Sequence, residues 1–371
     1  MGNNKLSFMN IFSYIYRFFN LKSRYTIFRR IVAVYVLPRI RVYLYMVYDD
    51  AFRSELSAWD PDFIHSNDWQ TLWLGVEQKK TTNCFLVFDS HELEVHRNPP
   101  LPPAQARFMT NYEQLLLPQC DLVTTVGDAI AEHLQDAYSI TKPAIIHNAP
   151  MSEINSGQLV DRWGRNPLDQ TVRSELGLGD EAFIMMTVGN VTINRGIDTV
   201  VNALVDLPDH VVLAVLGKQN LSYRAELDEL TNKLNLHERV LFVDPVNPLK
   251  VVPYISGADV GVIPTLPATL SYDYSLPNKL FECAFADLAI VASNTREVSR
   301  LVGQYNLGET FRPGDSVALA EIVQRLVSKK LAGKSIKSNN ADFRDIFAFD
   351  HSLSKVISQH IPALIDPVQE K

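Results

Sequence analysis

Three short clusters combine residue types that can do chemistry. The first is Ser275-Leu276-Pro277-Asn278-Lys279-Leu280-Phe281-Glu282. Pro277 suits the first turn of a helix, which would set Asn278, Lys279 and Glu282 in that helix's first two turns. Side chains three and four apart share one face, so all three reach toward the same side. A lysine near the positive end of a helix is costly without a nearby anion. A ligand phosphate would supply that anion, and Glu282 would accept hydrogen bonds from ribose hydroxyls. The competing reading is a surface Lys–Glu pair contributing a few tenths of a kcal/mol. On these residues alone the two stand close.

The second cluster runs from Val188-Gly189-Asn190 to Arg195-Gly196-Ile197-Asp198. A strand ending on glycine, a short loop and a basic residue before a helix make an anion-binding corner, and Arg195 adds a bidentate donor. The alternative is an ordinary surface arginine beside a turn. The third is Asp89-Ser90-His91-Glu92, directly after an apolar run. Imidazole titrates near neutrality, so His91, with Glu92 beside it, could bond a sugar hydroxyl or transfer a proton. The alternative has Asp89 capping a turn and His91 packed as a polar filler. His65, in DFIHSNDW, competes for the same role, and the acidic neighbours favour His91.

These clusters need elements to hold them. From about residue 60 the chain repeats a short apolar run followed by a helix-period segment. Strands are expected at Phe63–His65, Cys84–Phe88, Leu122–Val126 and Ala144–His147. A second set is expected at Phe183–Val188, Val211–Leu216, Val240–Val243, Val260–Ile263 and Ile290–Ala292. The runs are continuous rather than alternating, as in parallel strands buried on both faces. Helical spacing marks Gly127–Ala137, Asp198–Leu207, Tyr223–Leu236 and Phe347–Ile365. The alternation implies an α/β fold with right-handed crossovers. The polar stretch around 151–180 reads as an interdomain connection. The expected division is a helical segment 1–56, a first domain 57–155, a linker 156–180, a second domain 181–346, and a C-terminal helix 347–371 that turns back toward the first domain. No glycine lies between Gly2 and Gly75, so the first domain is abbreviated or atypical where a phosphate turn would be expected.

Composition bounds the function. The 371 residues are 46% apolar and 21% charged, as in a soluble globular chain of about two domains. Three scattered cysteines suit neither a disulfide framework nor a zinc cluster. Net charge is −7, yet residues 1–48 carry eight cations (Lys5, Arg17, Lys22, Arg24, Arg29, Arg30, Arg39, Arg41) and no acid, among many aromatics. Such a segment suits an anionic membrane surface, at the inner face for a cytoplasmic protein, and the arginines interrupt every stretch long enough to span. The alternative is aromatics packed onto the first domain. The acidic remainder argues against a nucleic-acid partner.

The runs TVGNVTINRGIDTVVNALVDL, LAVLG, VLFVDPV, VVPYISGADVGVIP and SLPNKLFECAFADLAIVAS resemble the second domain of the group 1 glycosyltransferases. DFIHSNDW, FDSHEL, CDLVTTVGDAIAEHL and IIHNAP extend the resemblance through the first domain, covering roughly residues 60–365 in the family's order. The resemblance implies a GT-B fold, two doubly wound Rossmann-like domains facing across a cleft, and retaining transfer without a metal or separate cofactor. It implies a donor site of Gly189, Asn190, Arg195, Gly217, Asn247, Tyr274, Asn278, Lys279 and Glu282. Arg195 and Lys279 would hold the diphosphate of a UDP- or GDP-sugar, Glu282 the ribose, and the loop at Val246-Asn247 would lie near the base. His91 resembles the cleft histidine that contacts the donor sugar. Tyr274 stands eight residues before Glu282, where the family has a sugar-contacting glutamate, which puts the sugar in doubt. The acceptor would be a glycan or a lipid-linked molecule, as in surface polysaccharide or glycoconjugate synthesis. Two alternatives stay open: a nucleotide-sugar epimerase on the same fold, and a nucleotide-sugar-binding scaffold subunit of a transferase complex.

Overall fold

The computed structural model describes residues 52–53, 55–56, 58–152, 170–338 and 340–361. The basic aromatic segment 1–48, residues 153–169 of the connection and residues 362–371 lie outside the described residues, and so do the expectations that rest on them.

The first unit alternates β1 (Phe63–Asn67), α1 (Asp68–Thr82), β2 (Phe85–Ser90), α2 (Pro103–Leu116), β3 (Leu122–Thr125), α3 (Asp128–Tyr138) and β4 (Ala144–Ile145). Its strands are parallel and lie in the order β1-β2-β3-β4, so chain neighbours are sheet neighbours. Leu86, Phe88, Val123, Ile130 and Leu134 form its core with Leu72 and Val76.

The second unit contains α4 (Val172–Glu175), β5 (Phe183–Val188), α5 (Ile197–Ala203), β6 (Val211–Leu216), α6 (Leu221–Lys233), β7 (Val240–Val243), α7 (Val251–Ile255), β8 (Val260–Ile263), α8 (Leu270–Tyr274), α9 (Asn278–Phe285), β9 (Ala289–Ser293), α10 (Arg296–Gln304), β10 (Gly308–Phe311) and α11 (Ser316–Leu331). The parallel sheet runs β10-β9-β8-β5-β6-β7. Every residue of β5 and β6 is buried, which is why FIMMTV and VVLAVL read as unbroken apolar runs. The chain starts at β5, builds to β7, then crosses back to β8. Strand order therefore reverses between β5 and β8, and crevices form outside the carboxyl ends of such a pair.

A buried carboxylate ties this unit together. Asp259 accepts from Arg173 Nη2 at 2.7 Å, Lys330 Nζ at 2.6 Å and the Ile184 amide at 2.8 Å. Arg173 lies in α4, and Val172 is fully buried in the second core, so residues 170–180 belong with the second unit rather than with a linker.

Two helices follow, α12 (Ala341–Phe347) and α13 (Phe349–His360). The single helix expected from Phe347 onward is broken at Ala348, whose backbone is extended in ψ at 137°. α13 lies against β4: the His147 amide donates to Ser352 Oγ at 3.3 Å, and Asp350 accepts from the Ser152 amide and hydroxyl. Strand β10 was not expected, because GETF exposes three of its four residues at the sheet edge and shows no apolar run.

Candidate active site

A cavity of about 550 Å³ opens between the two units, outside the carboxyl ends of their strands. Its larger wall belongs to the second unit. Gly189 follows β5 and Gly217 follows β6, and a Cβ on Gly217 would come within 2.0 Å of the Gly189 carbonyl oxygen. Gly196, at φ +71°, lets the loop after Arg195 pass against Pro264, where a Cβ would stand 1.9 Å from the carbonyl oxygen. These contacts fix the loop that carries Asn190 and Arg195 into the cavity.

α9 supplies the charged floor. Pro277 is its N-cap rather than its first residue, so Asn278 and Lys279 open the helix. The helix buries Leu280, Phe281, Ala284 and Phe285 in the core, which forces Lys279 and Glu282 to face the cavity from below. Lys279 is only 5% exposed, and among the described residues it makes no hydrogen bond or ion pair. Burial pushes its pKa down to about 7, and the Arg195 cation reinforces the shift. Burial likewise pushes the Glu282 carboxyl up to about 7. Lys279 and Glu282 are therefore no surface ion pair.

Arg195 stacks its guanidinium 5.0 Å over the Tyr272 ring, and its buried Nε has no hydrogen-bond partner. Two basic side chains thus face one cavity, and among the described residues neither makes an ion pair. Such an arrangement is unfavourable when empty and is relieved by a ligand of two or more negative charges.

The first unit contributes His91, Glu92, Val126 and Asn148. His91 Nδ1 lies 3.2 Å from Asp68 Oδ1, and Nε2 lies 3.2 Å from Asp89 Oδ2. Asp89 is held in turn by Thr124, whose hydroxyl donates to Oδ1 at 2.8 Å. The bond to Asp68, with the Asp89 and Glu92 charges, raises the His91 pKa against burial, and the same bond lowers that of Asp68. Both ring nitrogens of His91 therefore face carboxylates. Glu92 lines the cavity with an exposed side chain. His65 stays outside the cavity lining, 3.9 Å from Asp89.

The structure brings together His91, Glu92, Gly189, Asn190, Arg195, Gly217, Asn278, Lys279 and Glu282, and it leaves two expected residues out. Tyr274 points to the first unit, 6.2 Å from the His133 ring and with Arg296 4.8 Å over its own ring. Asn247 turns its side chain back to accept from the Leu249 amide at 3.0 Å, while its neighbours Val246 and Pro248 line the cavity. The lining also includes Lys218, Tyr272, Ser275 and Asn148, none of which the sequence singled out. Ser275 and Asn148 lie inside the SLPNKLFE and IIHNAP runs, so position within a strand-end motif was the available signal.

A profile described as Glycosyl transferases group 1 matches residues 182–329, and one described as Glycosyltransferase Family 4 matches residues 14–149. Together they take in both walls of the cleft. The chain belongs to the group 1 glycosyltransferase family. Among curated members, a D-inositol 3-phosphate glycosyltransferase of Catenulispora acidiphila is 26% identical over 68% of this chain and 60% of its own length. A glycogen synthase of Mycoplasma mobile is 22% identical over 60% of this chain and 56% of its own. The chain thus spans little more than half the length of these curated relatives.

Solved structures agree on the GT-B fold. Sucrose-phosphate synthase from Thermosynechococcus elongatus superposes with a TM-score of 0.68 at 20% identity, covering 86% of this chain and 77% of that one. Anabaena HepE in complex with UDP-glucose gives 0.66 at 16% identity, covering 85% and 82%.

Proposed function

We propose that this chain transfers a sugar from a UDP- or GDP-sugar to a glycan or lipid-linked acceptor. The observation that carries the reading is Lys279: buried, without an ion pair among the described residues and beside the Arg195 cation in an open cavity. Arg195, Lys279 and the first turn of α9 would hold the donor diphosphate. Glu282 would accept from the ribose hydroxyls, and the base would rest on Pro245, Val246 and Pro248. The sugar would then face His91, Glu92, Tyr272 and Ser275.

Transfer needs charge to build on the leaving diphosphate, and two desolvated cations stabilise that charge more in the transition state than in the ground state. Among the described residues, Glu92 is the one carboxylate contributed by the first unit's lining, and its exposed setting does not suit a nucleophile. The reading therefore has the acceptor oxygen attack C1 on the face the diphosphate leaves. The C1–phosphate oxygen bond breaks as the C1–acceptor bond forms, the acceptor proton passes to the departing phosphate oxygen, and the anomeric configuration is retained. The eight cations of residues 1–48 favour an acceptor at an anionic membrane surface, consistent with surface-polysaccharide assembly at the inner face of a membrane.

The test is a panel of UDP- and GDP-sugars incubated with the full chain and with lipid-linked or glycan acceptors, followed by NMR. Acceptor-dependent release of the nucleoside diphosphate, with a retained anomeric configuration in the product, is expected. An epimer equilibrium without any acceptor would overturn transfer, and no reaction with any donor would overturn the enzymatic reading.

A further inference from the structure

Arg195 is held by a polar chain that crosses the cleft. Asn98, on the first unit, is not part of the cavity lining. Its side-chain amide nevertheless contacts the second unit at both ends. Nδ2 donates to the Tyr272 hydroxyl at 3.1 Å, and Oδ1 accepts from Asn194 Nδ2 at 3.2 Å. Tyr272 is the ring on which the Arg195 guanidinium lies, 5.0 Å from its centroid. Asn194, at φ +64°, is the residue immediately before Arg195. One first-unit amide therefore grips both the platform under Arg195 and the side chain of the residue before it.

An arginine has four side-chain torsions, and its orientation is defined only where neighbours restrict them. Arg195 Nε is buried without a partner, so no hydrogen bond to Nε fixes the head group. What restricts it is the Tyr272 face. Tyr272 sits on α8, a five-residue helix capped by Thr269. The hydroxyl of so short an element gains a fixed position when its far end is tied down. Separating the two units breaks both Asn98 bonds at once and loosens the platform. Closing them restores both.

We infer that Asn98 is a positioning residue which, through Tyr272 and Asn194, orients Arg195 toward the donor diphosphate only when the two units are closed. The inference rests on the nucleotide-sugar reading above and adds to it a coupling between closure and phosphate capture. Linkage is reciprocal, so the nucleoside diphosphate must favour the closed form by the same factor that closure favours the nucleoside diphosphate.

The test uses the full chain, with UDP and GDP as probes in calorimetric titrations, and four variants: Asn98→Ala, Tyr272→Phe, their combination, and Arg195→Ala. Asn98→Ala removes no atom of the cavity lining. It is expected to weaken binding of the preferred diphosphate by about fivefold to tenfold, without lowering the unliganded melting temperature by more than about 2 °C. Tyr272→Phe keeps the ring under Arg195 and deletes the hydroxyl, cutting one of the two Asn98 bonds, and is expected to lose affinity by no more than Asn98→Ala. The combination should be no worse than Asn98→Ala alone, because Tyr272→Phe cuts a link that Asn98→Ala has already cut. Unchanged affinity in Asn98→Ala, with a large loss in Arg195→Ala, would overturn the coupling and leave the donor site standing. Additive losses in the combination would also overturn it. Failure of the unaltered chain to bind either nucleotide would overturn the donor reading, and the coupling with it.

Discussion

The two walls of the cleft differ in how their polar groups are satisfied. On the first unit, His91 sits between Asp68 and Asp89, Asp89 is bonded by Thr124, and Thr125 donates to the Ser90 carbonyl at 2.7 Å. On the second unit, Lys279 and Glu282 are drawn toward neutrality by burial, and Arg195 keeps a buried nitrogen unpaired. A folded chain pairs the large majority of its buried polar groups. A wall that leaves several of them unpaired is built for a ligand that will pair them, whereas a wall that pairs its own is scaffolding. On the proposed reading, the second unit is the binding half and the first unit covers it.

The largest expected effect follows from Lys279→Met. Removing a buried cation and replacing it with an apolar chain of similar length should raise the unliganded melting temperature by about 2 °C or more. The same change should lower nucleoside diphosphate affinity, and turnover with it, by about two to three orders of magnitude. Thermal melts paired with titrations read both. A destabilised variant would mean that Lys279 is structurally paired, and the contrast between the walls would fail. Glu282→Gln comes next: UDP or GDP affinity should fall about tenfold, while inorganic pyrophosphate, which has no ribose, should bind as before. Equal losses for both ligands would place Glu282 at the phosphates. The smallest effect is expected on the first wall. His91→Gln should change nucleoside diphosphate affinity by less than about threefold and lower stability by about 1 kcal/mol, since the pairs it breaks are partly exposed. A large loss of affinity would show that the first wall also binds the diphosphate.

Much of this was legible in the sequence, for definite reasons. β5 and β6 lie buried on both faces, so their runs were continuous and their ends marked the corners that carry Gly189 and Gly217. α9 announced itself through Pro277 and the spacing of Asn278, Lys279 and Glu282. The choice between phosphate site and ion pair was not legible, because it depends on the depth to which α9 sinks and not on the order of its residues. Asp68 as the partner of His91 was also hidden. The two are 23 positions apart and meet because β1 and β2 pair Asn67 with Asp89. Tyr274 was misplaced because counting eight back from Glu282 assumes that both residues share one face. The turn at Ser275–Pro277 separates α8 from α9, and it is Tyr272 that reaches the cavity.

The central claim is that Lys279 and Arg195 form a site for a diphosphate, and proton linkage tests it most directly. With its pKa near 7, Lys279 is neutral in the empty site above that pH, whereas an anion beside it demands the charged form. Binding must then take up a proton. Calorimetric titration of the full chain with UDP and GDP between pH 7 and 9, in buffers of different ionisation enthalpy, should show that uptake. Affinity for the preferred nucleotide should weaken by up to about tenfold per pH unit, and Lys279→Met should lose the dependence. Tight binding with no proton uptake and no change of affinity across that range would contradict the account.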